Sequence, residues 1–361
     1  MSQFSQNFYR LLYDWYATNH RILPWRETTN PYYIWLSEII LQQTRVAQGM
    51  EYYHQFVSTY PTIDLLASAA EDDVLRLWQG LGYYSRARNL HKAAKLIMSQ
   101  PDLADNAWHF PATFDKLRAL PGVGDYTAGA IASFAYNLPY PALDGNVYRV
   151  LARLFDCDTA FDTATGKKYF HQLAEQLLDR EQPRLFNSAI MEFGALYCLP
   201  ASQDCDGCPI GTYCLAKAAG TAALLPVRKP RPTLRDRYFS YTIYITPACK
   251  TLIRQRRDKD IWQHLYEFPL TEHATEAEWQ AQHAPSAAYD APSGNFPRPL
   301  TFTHILSHQR LHARFDIVPV NNLPTLPDTI AVTWEDLDHY ALSRLTLKAL
   351  EAISNISAKF G

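Results

Sequence analysis

The 361-residue sequence predicts two folded units of different class: an all-α domain over residues 1–220 and an α+β domain over residues 238–361, joined by a linker over 221–237. Three observations carry this. Apolar residues recur at helical spacing from Phe4 to about Gly220, with no convincing strand among them. From Tyr238 onward the alternation switches to a period of two. Between the two, residues 225–237 hold three prolines and five basic residues against one acid, which favours extended chain and suits either a solvated tether or a phosphate backbone.

Taken in order, the helical pattern covers 8–19, 31–46, 48–60, 71–80, 85–100, 113–120, 126–136, 146–155 and 186–197, each bounded by Pro, Gly or a polar cap. Such segments predict two helical lobes with a cleft between them. In the second unit, 238–246, 251–256 and 312–320 alternate like half-buried strands. Two helical patterns accompany them, near 276–283 and 342–353, and 284–298 reads as a long loop. The apolar fraction of 47% and charged fraction of 19% describe an ordered globular chain, and the 23 tyrosines and 8 tryptophans give rings to spare for stacking on bases. The net charge is only −2, with 18 basic against 22 acidic side chains up to Gly220. Any nucleic-acid contact therefore rests on local patches and helix N-termini rather than a global field. No basic start with an apolar run opens the chain, and no apolar stretch reaches the roughly 18 residues of a membrane span, so a cytoplasmic protein without membrane contact is expected.

Chemistry is concentrated in a few places. Pro121, Gly122, Val123 and Gly124 form a hairpin between two helical patterns. Its glycines admit positive φ and clear the way for an anion to approach the N–H groups of the next helix. Asp144 precedes a further helix, where a carboxylate accepts backbone N–H bonds and stays ionised. Glu38 lies among apolar neighbours, whose low polarity favours its protonated form. Two carboxyls pushed apart in this way suit an acid and an electrostatic stabiliser, as in glycoside cleavage. Gln42, Gln43 and Thr44 follow Glu38, and a loop of sequence G-L-G-Y-Y-S-R at 80–86 carries a ring pair; both supply groups able to enter a duplex. Cys198, Cys205, Cys208 and Cys214 are spaced C-x6-C-x2-C-x5-C, four thiolates for one metal centre. Zinc and a [4Fe-4S] cluster both accept such a set, the compact loop and wide first gap favouring iron-sulfur. Cys157 and Cys249 stand apart as inert thiols.

Together these residues resemble the helix-hairpin-helix DNA glycosylases, and within them the adenine glycosylases. The matching segments are L-P-W-R at 23–26, S-E-x-x-L-Q-Q-T at 37–44, G-L-G-Y-Y-S-R at 80–86, P-G-V-G-x-Y-T-A-G-A-I at 121–131, L-D-G-N-V at 143–147 and the four cysteines. The resemblance implies a helix-hairpin-helix domain with an iron-sulfur loop, then a MutT-like (Nudix-like) α+β domain. It implies that Glu38 protonates a flipped adenine and that Asp144 stabilises the cation left at C1′, supported by Tyr126 and Asn146. Trp25, Arg26, Val46 and Ser188 would line the adenine pocket, although the family often carries a longer side chain where this chain has Ser188. Gln43 and Tyr83 would intercalate beside an 8-oxoguanine, with Thr44 and Leu81 around it, while Gly122, Val123 and Gly124 hold the DNA backbone. The cysteines match the family's [4Fe-4S] loop. In the second domain W-Q-H-L-Y-E-F-P at 262–269 matches a recurrent segment, and Leu306, Ser307 and His308 stand where the family has a lesion-sensing F-S-H loop. The Glu-rich pyrophosphatase helix is absent from the sequence, so recognition without nucleotide hydrolysis is expected. In the related endonuclease III a lysine takes the place of Tyr126; without that amine a Schiff-base lyase has no nucleophile. The expected partner is duplex DNA with an adenine:8-oxoguanine mispair, met by a monomer.

Overall fold

The computed structural model describes residues 6–100, 102, 109–201, 204–230, 233–281 and 299–360, with side chains as far as Ser354. The chain divides into two compact units, residues 1–68 with 89–230 and residues 69–88 with 231–361. A single cut near residue 220 therefore does not separate them, because residues 69–88 group with the C-terminal part.

The first unit is helical among its described residues. At its centre is the helix Pro31–Ile40, which begins with Pro31 in the first turn and with Asn30 accepting from Tyr32 N–H at 3.0 Å. All its residues but Tyr33 are buried. It packs on the helix Asp125–Tyr136, buried from Thr127 to Ala135. Small side chains make this possible: a Cβ at Gly129 would meet the carbonyl oxygen of Pro141 at 2.6 Å. The expected helix over 31–46 stops at Ile40. The chain turns with Thr44 N–H on Leu41 O and Gln43 at φ +57°, then restarts as Val46–Thr59. The polar run Gln42, Gln43, Thr44 offers no apolar face to bury, so the helix has nothing to gain by continuing. Three further described α-helices of this unit, Ile63–Ser68, Ala164–Leu177 and Leu215–Ala219, have no counterpart in the expected pattern; Thr163 caps the second through Gly166 N–H at 2.9 Å. The helices Gly145–Leu154 and Pro183–Leu196 pack against each other and complete the walls of the site described below.

In the second unit the described strands are β1 (Arg235–Ile245), β2 (Lys250–Gln255), β3 (Tyr266–Glu267), β4 (Leu270–His273), β5 (Leu300–Ile305), β6 (Gln309–Pro319) and β7 (Thr329–Thr333). They form two sheets, ordered β4-β1-β6-β5 and β3-β2-β7. β1 and β6 run parallel, with Arg235 opposite Gln309 and Phe239 opposite Ala313; the other pairs are antiparallel. Phe239, Tyr241, Ile243, Ile253, Leu311 and Phe315 fill the core with Leu345 and Ala349 of the helix Arg344–Phe360. The three strands expected from alternation are present; β3, β4, β5 and β7 are the additions. The expected loop at 284–298 lies outside the described residues. The basic, proline-rich segment is shorter than expected. Val227 O accepts from Phe161 N–H, Lys229 N–H donates to Asp162, Arg228 lies over the Phe161 ring, and Arg235 to Arg237 already belong to β1.

Candidate active site

A cleft of about 600 Å³ opens in the first unit, lined by Trp25, Arg26, Glu38, Gln42, Gln43, Thr44, Val46, Gly124, Tyr126, Asp144 and Asn146 among others. Residues far apart in sequence therefore share one wall. Glu38, 4% exposed, sits near the end of the central helix. Tyr126 Oη donates to its Oε2 at 2.6 Å, and Arg26 Nη1 lies 3.5 Å from its Oε1. The Arg26 guanidinium lies 3.7 Å over the Phe134 ring. Burial raises the Glu38 carboxyl above the usual carboxylate range, against the pull of Arg26 and Tyr126. The Tyr126 phenol is pushed well above its ordinary value by burial, then by both carboxyls, so it stays neutral and serves as a donor.

Asp144 caps the helix Gly145–Leu154. Its Oδ1 accepts from the backbone N–H of Asn146 at 2.9 Å and of Val147 at 2.8 Å, and its Oδ2 from the Asn146 amide at 2.8 Å. Burial raises this carboxyl as well, opposed by the three N–H donors and Arg149. The expectation of two carboxyls shifted in opposite directions is thus corrected: both shift upward. What separates them is the donor set, three N–H groups at a helix N-terminus for Asp144 against one phenol and a distant guanidinium for Glu38.

Ser188 is buried on the helix Pro183–Leu196 but is not among the cleft-lining residues. Met191 and Glu192, about one turn on, do line the cleft. Glu192 accepts from Arg21 Nε at 2.6 Å and Nη2 at 2.8 Å, a two-pronged pair that holds its carboxyl below the usual range despite burial. No local pattern joins this pair, because 171 positions separate its members in the sequence.

Of the two hairpin glycines only the first uses the positive φ expected of them; Gly124 lies at φ −95°. Gly122 lies at φ +78°, and a Cβ there would meet Asn89 Cβ at 2.8 Å. Val123 N–H bonds Leu120 O and its side chain is buried. Gly124 is the uncapped N-cap of Asp125–Tyr136 and a Cβ there would meet nothing within 4 Å, so the first N–H groups are open to an anion.

Cys198, Cys205, Cys208 and Cys214 line one pocket together. Among the described residues no three His, Cys, Asp or Glu side chains close on a single-ion site; the four thiols surround a space instead. Burial pushes the Cys208 thiol up to about 11 and raises Cys214. Arg153, buried, donates to Cys198 Sγ at 3.2 Å and to the carbonyl oxygens of Leu199, Pro200, Ala222 and Leu225. The sequence did carry a signal for it: Arg149 and Arg153 are i,i+4, one turn apart on the helix that Asp144 caps, and both are buried.

In the second unit, Leu81 and Tyr83 share a separate cavity of about 620 Å³ with Leu306, Ser307 and His308, and with Trp262, His304 and Gln309. Gly80, Gly82 and Tyr83 have positive φ, and the Tyr83 ring is exposed. Arg86 fastens this loop by donating to Leu81 O and Gly82 O. The residues assigned to lesion contact therefore fall into two groups, Gln43 and Thr44 beside Glu38, and Leu81, Tyr83, Leu306, Ser307 and His308 around this cavity.

The class this fold and cleft define is that of the HhH-GPD superfamily base excision DNA repair proteins, whose sequence model matches residues 36–184, while a NUDIX domain model matches residues 241–352. A solved thermostable thymine-DNA glycosylase superposes with a TM-score of 0.52 at 26% identity, over 59% of this chain and 95% of that one. The adenine DNA glycosylase of Buchnera aphidicola subsp. Acyrthosiphon pisum is 34% identical over 75% of this chain and 76% of its own length, and that of Rattus norvegicus is 32% identical over 93% and 76%. The chain belongs to the adenine DNA glycosylase family. None of the described helices is long and apolar enough to cross a membrane.

Proposed function

We propose that the protein removes adenine opposite 8-oxoguanine, and less well opposite guanine, from duplex DNA, by hydrolysis of the N-glycosidic bond. The observation that carries this is the placement of Glu38 and Asp144 in one cleft with distinct donor sets. Glu38, kept protonated by burial, gives its proton to N7 of the flipped adenine. Oε1 is the freer oxygen, since its contact with Arg26 is 3.5 Å, and is the one placed to carry that proton. The C1′–N9 bond breaks with its electron pair leaving on the base. Asp144, anchored by three N–H groups, faces the positive charge growing at C1′ until water adds there, the proton of that water passing to the Glu38 carboxylate left by the first step. No lysine is among the residues lining the cleft, which supports a hydrolase without lyase activity. Gln43 and Thr44 at the cleft, and Leu81, Tyr83 and the 306–308 loop at the second cavity, are assigned to the DNA around the lesion, with Gly122, Val123 and Gly124 on a phosphate.

The four cysteines fit a [4Fe-4S] cluster: they surround a shared pocket, each able to take a different iron, and Arg153 supplies a donor to one sulfur. The cluster would tie the loop to the helix Gly145–Leu154, outside the hydrolytic chemistry.

Single-turnover excision on duplexes with adenine opposite 8-oxoguanine, guanine and thymine tests the reading, with strand cleavage scored before and after alkali. Fastest release opposite 8-oxoguanine, with cleavage only after alkali, is expected. Equal rates on all three, or cleavage without alkali, would overturn the specificity or the hydrolytic mechanism.

A further inference from the structure

Ser307 and His308 are exposed at the cavity of the second unit, but the next residue, Gln309, is 8% exposed and bonded on both ends of its amide. Its Oε1 accepts from Arg237 Nη1 at 3.0 Å. Arg237 has no freedom of its own. Glu272 takes Nε and Nη2 at 2.7 and 2.6 Å, and Asp260 takes Nη1 and Nη2 at 2.9 and 2.7 Å. A guanidinium only donates, so the Gln309 oxygen must face it and the amide nitrogen must face the other way. That nitrogen lies 2.7 Å from His308 Nε2. An amide N–H there requires a lone pair on Nε2, which places the proton of the neutral ring on Nδ1. His308 Nδ1 lies 3.1 Å from Ser307 Oγ. The ring N–H therefore donates to Oγ, and the hydroxyl proton of Ser307 is left to point elsewhere.

We infer that Arg237 and Gln309 are positioning residues for the 306–308 loop: through the His308 tautomer they make Ser307 a hydrogen-bond donor toward the cavity. The matching ligand group is an acceptor on a base, such as the C8 carbonyl oxygen that distinguishes 8-oxoguanine from guanine. This consequence rests on the reading of Ser307 as a lesion contact; the relay itself does not.

The polarity of the relay is set by one nitrogen. In Gln309→Glu the carboxylate still accepts from Arg237 but now demands a proton on His308 Nε2. Nδ1 then becomes an acceptor, Ser307 turns its proton toward the ring, and the donor into the cavity is lost. Full-length protein with 15N-labelled histidine reads this directly at a pH where the ring is neutral, with the His308 resonances assigned by their absence from His308→Gln. The Nδ1–H form is expected in the wild type and the Nε2–H form in Gln309→Glu. Gln309→Leu, which adds no charge, should leave a mixture. A wild-type ring protonated on Nε2 would overturn the relay whatever the variants do, and so would an unchanged tautomer in folded Gln309→Glu. Binding to an adenine:8-oxoguanine duplex should weaken about tenfold in Gln309→Glu, the loss of one hydrogen bond, and should not weaken further when Ser307→Ala is already present. A switched tautomer with unchanged binding would leave the relay standing and refute Ser307 as a lesion contact.

Discussion

Asn146 holds Asp144 from two directions, its backbone N–H on Oδ1 at 2.9 Å and its side-chain amide on Oδ2 at 2.8 Å. The amide oxygen of Asn146 is itself occupied by Arg149 Nη2 at 2.9 Å, and Arg149 Nε donates to Cys198 O at 2.7 Å. The orientation of the amide is therefore fixed from behind, and Asp144 cannot rotate without breaking a chain of bonds that reaches the cysteine loop.

Replacing Asn146 by Ala should slow single-turnover excision by roughly tenfold to a hundredfold, the worth of a hydrogen bond to a charged group, while duplex binding changes little. Asn146→Asp should slow it more, because a second carboxylate would face Asp144. A rate within about twofold of wild type in either variant would remove Asn146 from the supporting role.

Glu38→Gln should abolish excision and leave lesion binding nearly intact. The raised pKa of Glu38 also has a signature in the wild type. A general acid acts while protonated, so the excision rate should fall as pH rises through that elevated value. Tyr126 lowers the Glu38 pKa by donating to the ionised form, so Tyr126→Phe should move this falling limb to higher pH; a limb that stays in place would count against Glu38 as the acid. Stability follows the same sign. With the folded-state pKa above the unfolded one, the contribution of Glu38 is fully present at low pH and is lost as pH rises through the folded value. Glu38→Gln should therefore melt a few degrees higher than wild type at neutral pH, and no higher at acid pH.

The two hairpin glycines should separate folding from DNA binding. Gly122→Ala meets both a positive φ and Asn89, and should cost about 1–3 kcal/mol of stability in a denaturant titration. Gly124→Ala has space and an ordinary φ, so its melting temperature should hardly change. Its methyl group stands beside the open N–H groups of the next helix, and duplex affinity should drop several-fold if a phosphate docks there. Equal affinities would argue that Gly124 serves geometry alone.

Purified protein should be brown, with broad absorption near roughly 400 nm, and this should vanish when a cysteine of the set is replaced. Arg153→Ala should make the chromophore more easily lost on storage or with chelator, since it removes the donor to Cys198 Sγ and four carbonyl anchors at once. A colourless protein containing zinc would overturn the iron-sulfur assignment.

Local rules carried far into this chain. The helical period of the first part, the alternation of β1, β2 and β6, the hairpin and the spacing of the cysteines are all patterns within a short window, and the cap at Asp144 is written in the few residues around it. The break after Ile40 was hidden because a polar run inside a helical pattern looks the same whether it faces solvent or turns. Of the four added strands, β3 has two residues and β4 and β7 depend on partners rather than on their own alternation, whereas β5 does alternate, Leu300 and Phe302 against Thr301 and Thr303, in a run of only six residues.

Periodicity and residue identity alone specify the fold class of both units, the two carboxyls and the thiol set. Tertiary packing settled how those groups behave. It raised Asp144 along with Glu38, because burial is a property of the surroundings and outweighed the N–H donors that the cap supplies. It took Ser188 off the cleft and put the Arg21–Glu192 pair beside it, and it took Arg237 out of the linker to set the polarity of a loop far along the chain. Each of these is a contact between distant parts of the chain, where desolvation and hydrogen-bond direction are fixed by neighbours that no local pattern names.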